Sequence, residues 1–197
     1  MHFLLKISAI IDTLNEKVGQ AVSWLLLADV LICTGNAVYL YLFKQSSNAW
    51  LEIQWYLFAA IFLLGAATTL KRNEHIRIDI VASRFSQRTQ VWIDVFGFIF
   101  FLLPMTILVV YLALPYALES IHNQEVSNNA GGLIVWPAKL LIPTGFFLLS
   151  LQGISELIKR IGYLCGLVDA ASFEKQAHGA QVEVDTVNSG HPSSQEN

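Results

Sequence analysis

Asp29 is the side chain whose type and position most demand a chemical explanation. It sits in a stretch of 26 residues between Lys17 and Lys44 that carries no other charge. A carboxyl group at the centre of a membrane helix costs about 2.5–3.5 kcal/mol on insertion scales. No lysine or arginine falls mid-span anywhere in the chain to offset that cost. The group must stay protonated, accept hydrogen bonds from neighbours, or find its partner on another polypeptide. Asn36 lies seven residues on, two helical turns along the same face, with Ser23 and Gly35 near that side. Two readings follow: an ion or proton site, or polar glue at a protein–protein contact. A single acid without a second charged group rarely makes a coupling site, which favours the contact. Gln152 sits in the last apolar run, where it can bridge helices, with Glu156 nearer the membrane surface.

Other chemistries find no foothold in the sequence. The five histidines (His2, His75, His122, His178, His191) have no close partner at metal-ligand spacing. No glycine-rich phosphate loop or nucleophile elbow is present. Cys33 falls mid-span and Cys165 after the last span, so neither a structural disulfide nor a thiol relay is expected. The reading is therefore of a chain that is not an enzyme and holds no cofactor. A net charge of −3 gives no reason to expect nucleic acid.

The elements that must position Asp29 are set by lipid. Hydrophobic residues make up 54% of the chain and charged residues 14%, against about 25% charged in soluble domains. Four apolar runs reach the roughly 20 residues needed to cross a bilayer: about 18–43, 50–70, 91–114 and 139–158. They are continuously apolar, without the alternation of membrane strands, so the fold class is all-α with four transmembrane helices. Pro104 lies inside the third span and should kink it; Pro143 falls in the first turns of the fourth.

Charge sets the orientation. Lys6, Lys17, Lys71, Arg72, Arg77, Arg84, Arg88, Lys159, Arg160 and Lys175 fall on one side, and only Lys44 and Lys139 on the other. Both termini are expected in the cytoplasm of a bacterial inner membrane, with a loop of about Pro115–Pro137 outside. Tyr39, Tyr41, Trp50, Trp55 and Trp136 cluster near the outer boundary. Glu52 and Asp94, within a turn or so of span ends, are expected to reach water. Residues 1–17 read as an amphipathic interfacial helix. Phe3, Ile7, Ile10, Ile11, Leu14 and Val18 form its apolar face, with Lys6, Asp12, Thr13, Glu16 and Lys17 on the remaining faces. A second interfacial helix is expected over Asp79–Arg88, capped by Asp79. Residues 169–197 are polar and read as a disordered tail.

Two stretches resemble a known family. One is Arg72-Asn-Glu-His-Ile-Arg-Ile-Asp-Ile80, after the second span. The other is Gly131-Gly-Leu-Ile-Val-Trp-Pro-Ala-Lys-Leu-Leu-Ile-Pro-Thr-Gly145, continuing Phe-Phe-Leu-Leu-Ser-Leu-Gln-Gly153. Together, over about residues 18–165, they resemble the small four-helix DctQ-type subunit of tripartite ATP-independent periplasmic (TRAP) transporters. The resemblance implies a fixed scaffold beside a large membrane subunit that carries the substrate and sodium sites. A periplasmic substrate-binding protein would deliver an organic acid to that complex. Among the matching residues, Arg77 reads as a phosphate contact or a plain topology signal, and Asp79 as a helix cap. His75 reads as a partner contact or a solvated loop residue. Gly131 and Gly132 permit the turn back into the membrane. Trp136 and Pro137 set the start of the last span, and Lys139 snorkels to headgroups or attracts an anion. A rival reading is a self-sufficient small proton-coupled exporter using Asp29. The ten-to-two charge split and the chain length speak against it.

Overall fold

The structure is a computed structural model describing residues 2–45, 47–72 and 86–166. Among these residues it is all-helical, with four helical runs long and apolar enough to cross a membrane: Phe3–Phe43, Asn48–Lys71, Arg88–His122 and Trp136–Leu164. His75, Arg77 and Asp79, the interfacial helix begun by Asp79, and the 169–197 tail lie outside the described residues.

α1 runs His2–Phe43 and α2 runs Asn48–Lys71. The third run begins with α3, Gln87–Gly97, whose cap Ser86 accepts a hydrogen bond from the Thr89 amide at 3.4 Å. A π-helical turn, Phe98–Leu102, leads from α3 into α4, Leu103–His122. α5, Trp136–Leu164, closes the bundle. Successive runs reverse direction, so the start of α1, the end of α2, the start of α3 and the end of α5 share one end, here called the N-terminal end. The 123–135 hairpin lies at the other.

α1 passes through Lys17 and Val18 without a break. Nothing between His2 and Val18 is glycine or proline, so no breaker divides an interfacial piece from the span. Its 42 residues extend about 63 Å, roughly twice the hydrocarbon thickness. The third run also exceeds its expected end. α4 continues through Pro115 to His122, leaving a loop of 123–135 instead of Pro115–Pro137. A proline that ends a helix in water is tolerated where neighbouring structure and apolar surroundings keep the chain helical.

The π turn has a local cause. Pro104 has no N–H for the carbonyl four residues back, and the ladder just before it shifts register: the Leu103 amide bonds the Phe98 carbonyl, five residues back. α5 is the hub, packing against α1, α2 and α4. Two of its glycines permit this. A Cβ at Gly145 would lie 2.7 Å from Leu63 Cβ and 2.8 Å from the Leu63 carbonyl, and one at Gly153 would lie 2.6 Å from Leu102. By contrast, α1 has no buried residue from 18 to 43. Large apolar side chains such as Trp24, Phe58, Phe101 and Tyr111 point outward, as lipid-facing surfaces do.

Candidate functional site

Polar side chains gather at the two ends of the bundle and leave a sparse set between. At the N-terminal end, two stripes meet. Ser8, Asp12 and Asn15 (spacing 4 and 3) lie on one face of α1. Gln152, Ser155, Glu156, Lys159 and Arg160 lie on one face of α5. Ser8 and Ser155 share a hydrogen bond of 2.7 Å between hydroxyls. The Asp12 carboxylate accepts from Gln152 Nε2 at 2.9 Å, from the Ser155 hydroxyl at 2.8 Å and from Lys159 Nζ at 3.2 Å. Lys159 also pairs with Glu156. Arg160 Nη1 donates to Glu156 Oε2 at 2.7 Å and its Nε to Asp94 Oδ2 at 3.2 Å, with the guanidinium 4.6 Å over the Phe98 ring.

This network fixes amide orientations. Gln152 Nε2 faces two carboxylates, Asp12 and Glu156, so its Oε1 is left to accept from Asn15 Nδ2 at 2.7 Å. Asn15 is thereby oriented, and its Oδ1 stays buried without a protein donor among the described residues. α2 joins through Thr68, which donates to the Asn15 carbonyl at 2.9 Å, and Lys71, which bonds Glu16 at 2.6 Å. Among the described residues, three carboxylates (Asp12, Asp94, Glu156) thus face two cations (Lys159, Arg160), with Glu156 and Arg160 nearly sealed from solvent.

The opposite end is clamped by two carboxylates of the hairpin side. Glu52, on α2, accepts from the Ser127 hydroxyl, from Asn129 Nδ2 at 2.9 Å and from the Leu133 amide at 2.6 Å. Gly132 lets it approach, since a Cβ there would lie 2.9 Å from Glu52 Oε1. Gly131 supplies the left-handed turn, with φ of +72°. An antiparallel bridge between Val126 and Ile134 closes the hairpin. Glu125 accepts from Ser120 at 2.7 Å and pairs with Lys139, whose ammonium also sits 4.0 Å over the Tyr116 ring. The Lys139 and Ser120 hydrogen bonds hold the Glu125 carboxyl below its usual range.

The residues singled out from sequence are thus dispersed. Gln152 joins the N-terminal network. Trp136 opens α5 with Pro137 in its first turn. Lys139 is engaged by Glu125 and by the Tyr116 ring. Asp29 and Asn36 lie on one face of α1, and each leaves a side-chain oxygen buried without a partner among the described residues; the Gln54 amide nitrogen on α2 does the same. Glu52 does not reach water as expected, because the hairpin folds over it; it is 3% exposed. Asp12, expected on an outward polar face, turns into the bundle. Two signals could have found the network: polar residues at 8, 12, 15 and at 152, 155, 156, 159, 160, each set keeping one helical face.

The sequence model of one protein family, described as "Tripartite ATP-independent periplasmic transporters, DctQ component", matches residues 29–162. That is more than half of the chain, and it takes in the α5 stripe while leaving Ser8, Asp12 and Asn15 outside. Comparisons with curated proteins and with solved structures return no match.

Proposed function

We propose that this chain, which belongs to the DctQ component family of tripartite ATP-independent periplasmic transporters, is the fixed scaffold of its transporter. As a small TRAP subunit it is a transport component and not an enzyme. In the proposed assembly it stands beside a large membrane subunit in a bacterial inner membrane, with the N-terminal end cytoplasmic. The large subunit carries sodium and an organic acid inward, and a periplasmic protein delivers that acid to the hairpin side.

The observation that carries this reading is the pinning of helices at both ends. Buried side-chain bonds tie α1, α2, α3 and α5 at one end. At the other, Glu52 ties α2 to the hairpin and Lys139 ties α5 to it. Sliding one helix past another would break several buried polar contacts together, each costing about 1–3 kcal/mol when left unmade. Packed elements held this way suit a part that stays still while another moves. The membrane depth also lacks a basic residue able to hold a carboxylate substrate.

The test is to lock the bundle and measure uptake. Ser8→Cys with Ser155→Cys, in a chain where Cys33 and Cys165 are replaced by alanine, places two thiols where hydroxyls now touch at 2.7 Å. The complete transporter in proteoliposomes should import at the same rate with this pair oxidised or reduced. Uptake that stops on oxidation and returns on reduction would overturn the scaffold reading. Uptake by the small subunit alone would do the same and would favour the Asp29 exporter.

A further inference from the structure

We propose that the outward face of α1 between Phe3 and Lys17 seats anionic phospholipids of the leaflet at the N-terminal end, with their phosphates held by Lys6 and Lys17. This binding asks only that the chain cross a membrane, so it does not depend on the scaffold reading.

The start of α1 is amphipathic in the reverse of the sense that water selects. Ser8 and Asn15 are buried, and Asp12 turns into the bundle to meet Gln152 and Ser155. Phe3 and Ile10 point outward, 73% and 69% exposed. A helix facing water keeps its polar stripe outside and its apolar stripe in. Lys6 and Lys17 are exposed on the same side as Phe3 and Ile10. Eleven residues make almost exactly three turns, so the two lysines lie on one line about 16 Å long. Ile10 and Thr13 fall close to that line between them.

Charge is sorted between the two faces. The acids of this stretch, Asp12 and Glu16, are both turned away from the outward face and neutralised. Asp12 pairs with Lys159 at 3.2 Å, and Glu16 pairs with Lys71 at 2.6 Å and Arg72 at 3.3 Å. Lys6 and Lys17 make no ion pair among the described residues. The outward face is therefore cationic and apolar at once, with no carboxylate on it.

Depth and charge together choose the occupant. Glu16 meets Lys71 and an exposed Arg72 where α2 ends, which marks the edge of the hydrocarbon. The residues of α1 before Glu16 run on past that edge, where Phe3 and Ile10 still need apolar contact. The boundary of acyl chains and headgroups supplies both requirements: apolar contact for Phe3, Ile10 and Leu14, and phosphate for the two ammonium groups. Phosphates recur all along this boundary, so both lysines are met without a partner that carries two carboxylates at a matching spacing. A second copy in the same orientation would bring Lys6 to Lys6 and Lys17 to Lys17 across a two-fold axis, and an ammonium offers no acceptor.

The test uses the full chain in vesicles of phosphatidylcholine and phosphatidylglycerol. A nitrobenzoxadiazole fluorophore is attached at Ile10→Cys, with Cys33→Ala and Cys165→Ala. A trace of lipid carrying a nitroxide just below the headgroup is supplied as either phosphatidylglycerol or phosphatidylcholine. The labelled phosphatidylglycerol should quench more strongly, with roughly two- to five-fold enrichment per lysine that salt reduces. Lys6→Gln with Lys17→Gln should bring the two lipids level. Thr13→Lys, which adds a cation on the same line, should widen the gap. The side chains at 6, 13 and 17 are exposed and touch no other helix through a described bond, so melting in neutral detergent should match the parent and separate lost lipid preference from lost fold. Equal quenching by the two lipids in the parent would overturn the proposal, as would a preference that survives removal of both lysines. Quenching by aqueous iodide and not by lipid would place the face in water and overturn it too. So would lipid quenching that vanishes when the large subunit is added, because a protein would then cover this face.

Discussion

Asn15 and Gln152, 137 positions apart in the chain, meet side chain to side chain at 2.7 Å, and neither is exposed to solvent. Their amides are oriented in series. The Asp12 and Glu156 carboxylates fix Gln152, and Gln152 fixes Asn15. The contact therefore carries the charge pattern of the N-terminal cluster from α5 to α1, while Thr68 of α2 joins separately through the Asn15 backbone carbonyl. One buried amide pair thus sets how α5 and α1 meet.

Gln152→Leu should uncouple them. It leaves Asn15 Nδ2 without an acceptor and takes one donor from Asp12, so a loss of about 1–3 kcal/mol is expected. Gln152→Glu should be worse, because a third carboxylate would face Asp12 and Glu156. Thermal unfolding in detergent, followed by intrinsic fluorescence, checks both. A melting temperature unchanged by Gln152→Leu would show that the amide relay contributes nothing.

Arg160 carries a different kind of cost. Its guanidinium serves Glu156 and Asp94 while nearly sealed from solvent. Arg160→Leu should destabilise by about 3–5 kcal/mol, mostly through the carboxylate left buried beside it. Adding Glu156→Gln should restore part of that loss. Two single losses that simply add in the double variant would mean the residues do not act as a pair.

The four spans were legible because run length alone decides them, and lipid leaves few alternatives to a helix. The polar stripes on α1 and α5 were equally visible in their spacing. What the spacing could not reveal is that they face each other. Lys159 and Arg160 sit where a topology signal would sit, and Glu52 where water would reach it, so position near a span end concealed their polar bonds. The donors to Glu52 include the Leu133 amide, which has no side-chain signature at all. The division of α1 at Lys17 followed a change in composition, but a helix ends at a cap or a breaker, and none is there. Pro115 misleads in the opposite direction: inside a continuous apolar run the chain stays helical through it to His122.

The two glycines Gly145 and Gly35 should respond in opposite directions. Gly145→Ala places a methyl group 2.8 Å from the Leu63 carbonyl, and backbone cannot yield as a flexible side chain can, so a loss of about 1–3 kcal/mol is expected. Gly35→Ala meets open space in the subunit alone and should stabilise it by about 0.4–1 kcal/mol by restricting the unfolded chain. Melting temperatures of the two variants, taken side by side, give the answer. Equal effects would mean that α5 does not approach α2 as closely as the backbone positions require.

The hairpin should loosen in acid, and Glu125 sets the direction. Its carboxyl titrates below the ordinary value of 4.5 because Lys139 and Ser120 bond the charged form. A group whose pKa is depressed by folding adds stability that is complete above the ordinary value and is lost as pH falls through the folded one. Amide exchange of residues 123–135 should therefore be flat down to about pH 5 and, once corrected for intrinsic rates, rise below the ordinary carboxylate range. Glu125→Gln should remove that acid-dependent rise and leave the hairpin looser at neutral pH, with Lys139 deprived of its counter-charge. Glu52 lies in the same hairpin clamp, so the Glu125→Gln comparison is what assigns the effect. An acid response that survives the substitution would transfer it to Glu52, whose protonation would release Ser127, Asn129 and the Leu133 amide together.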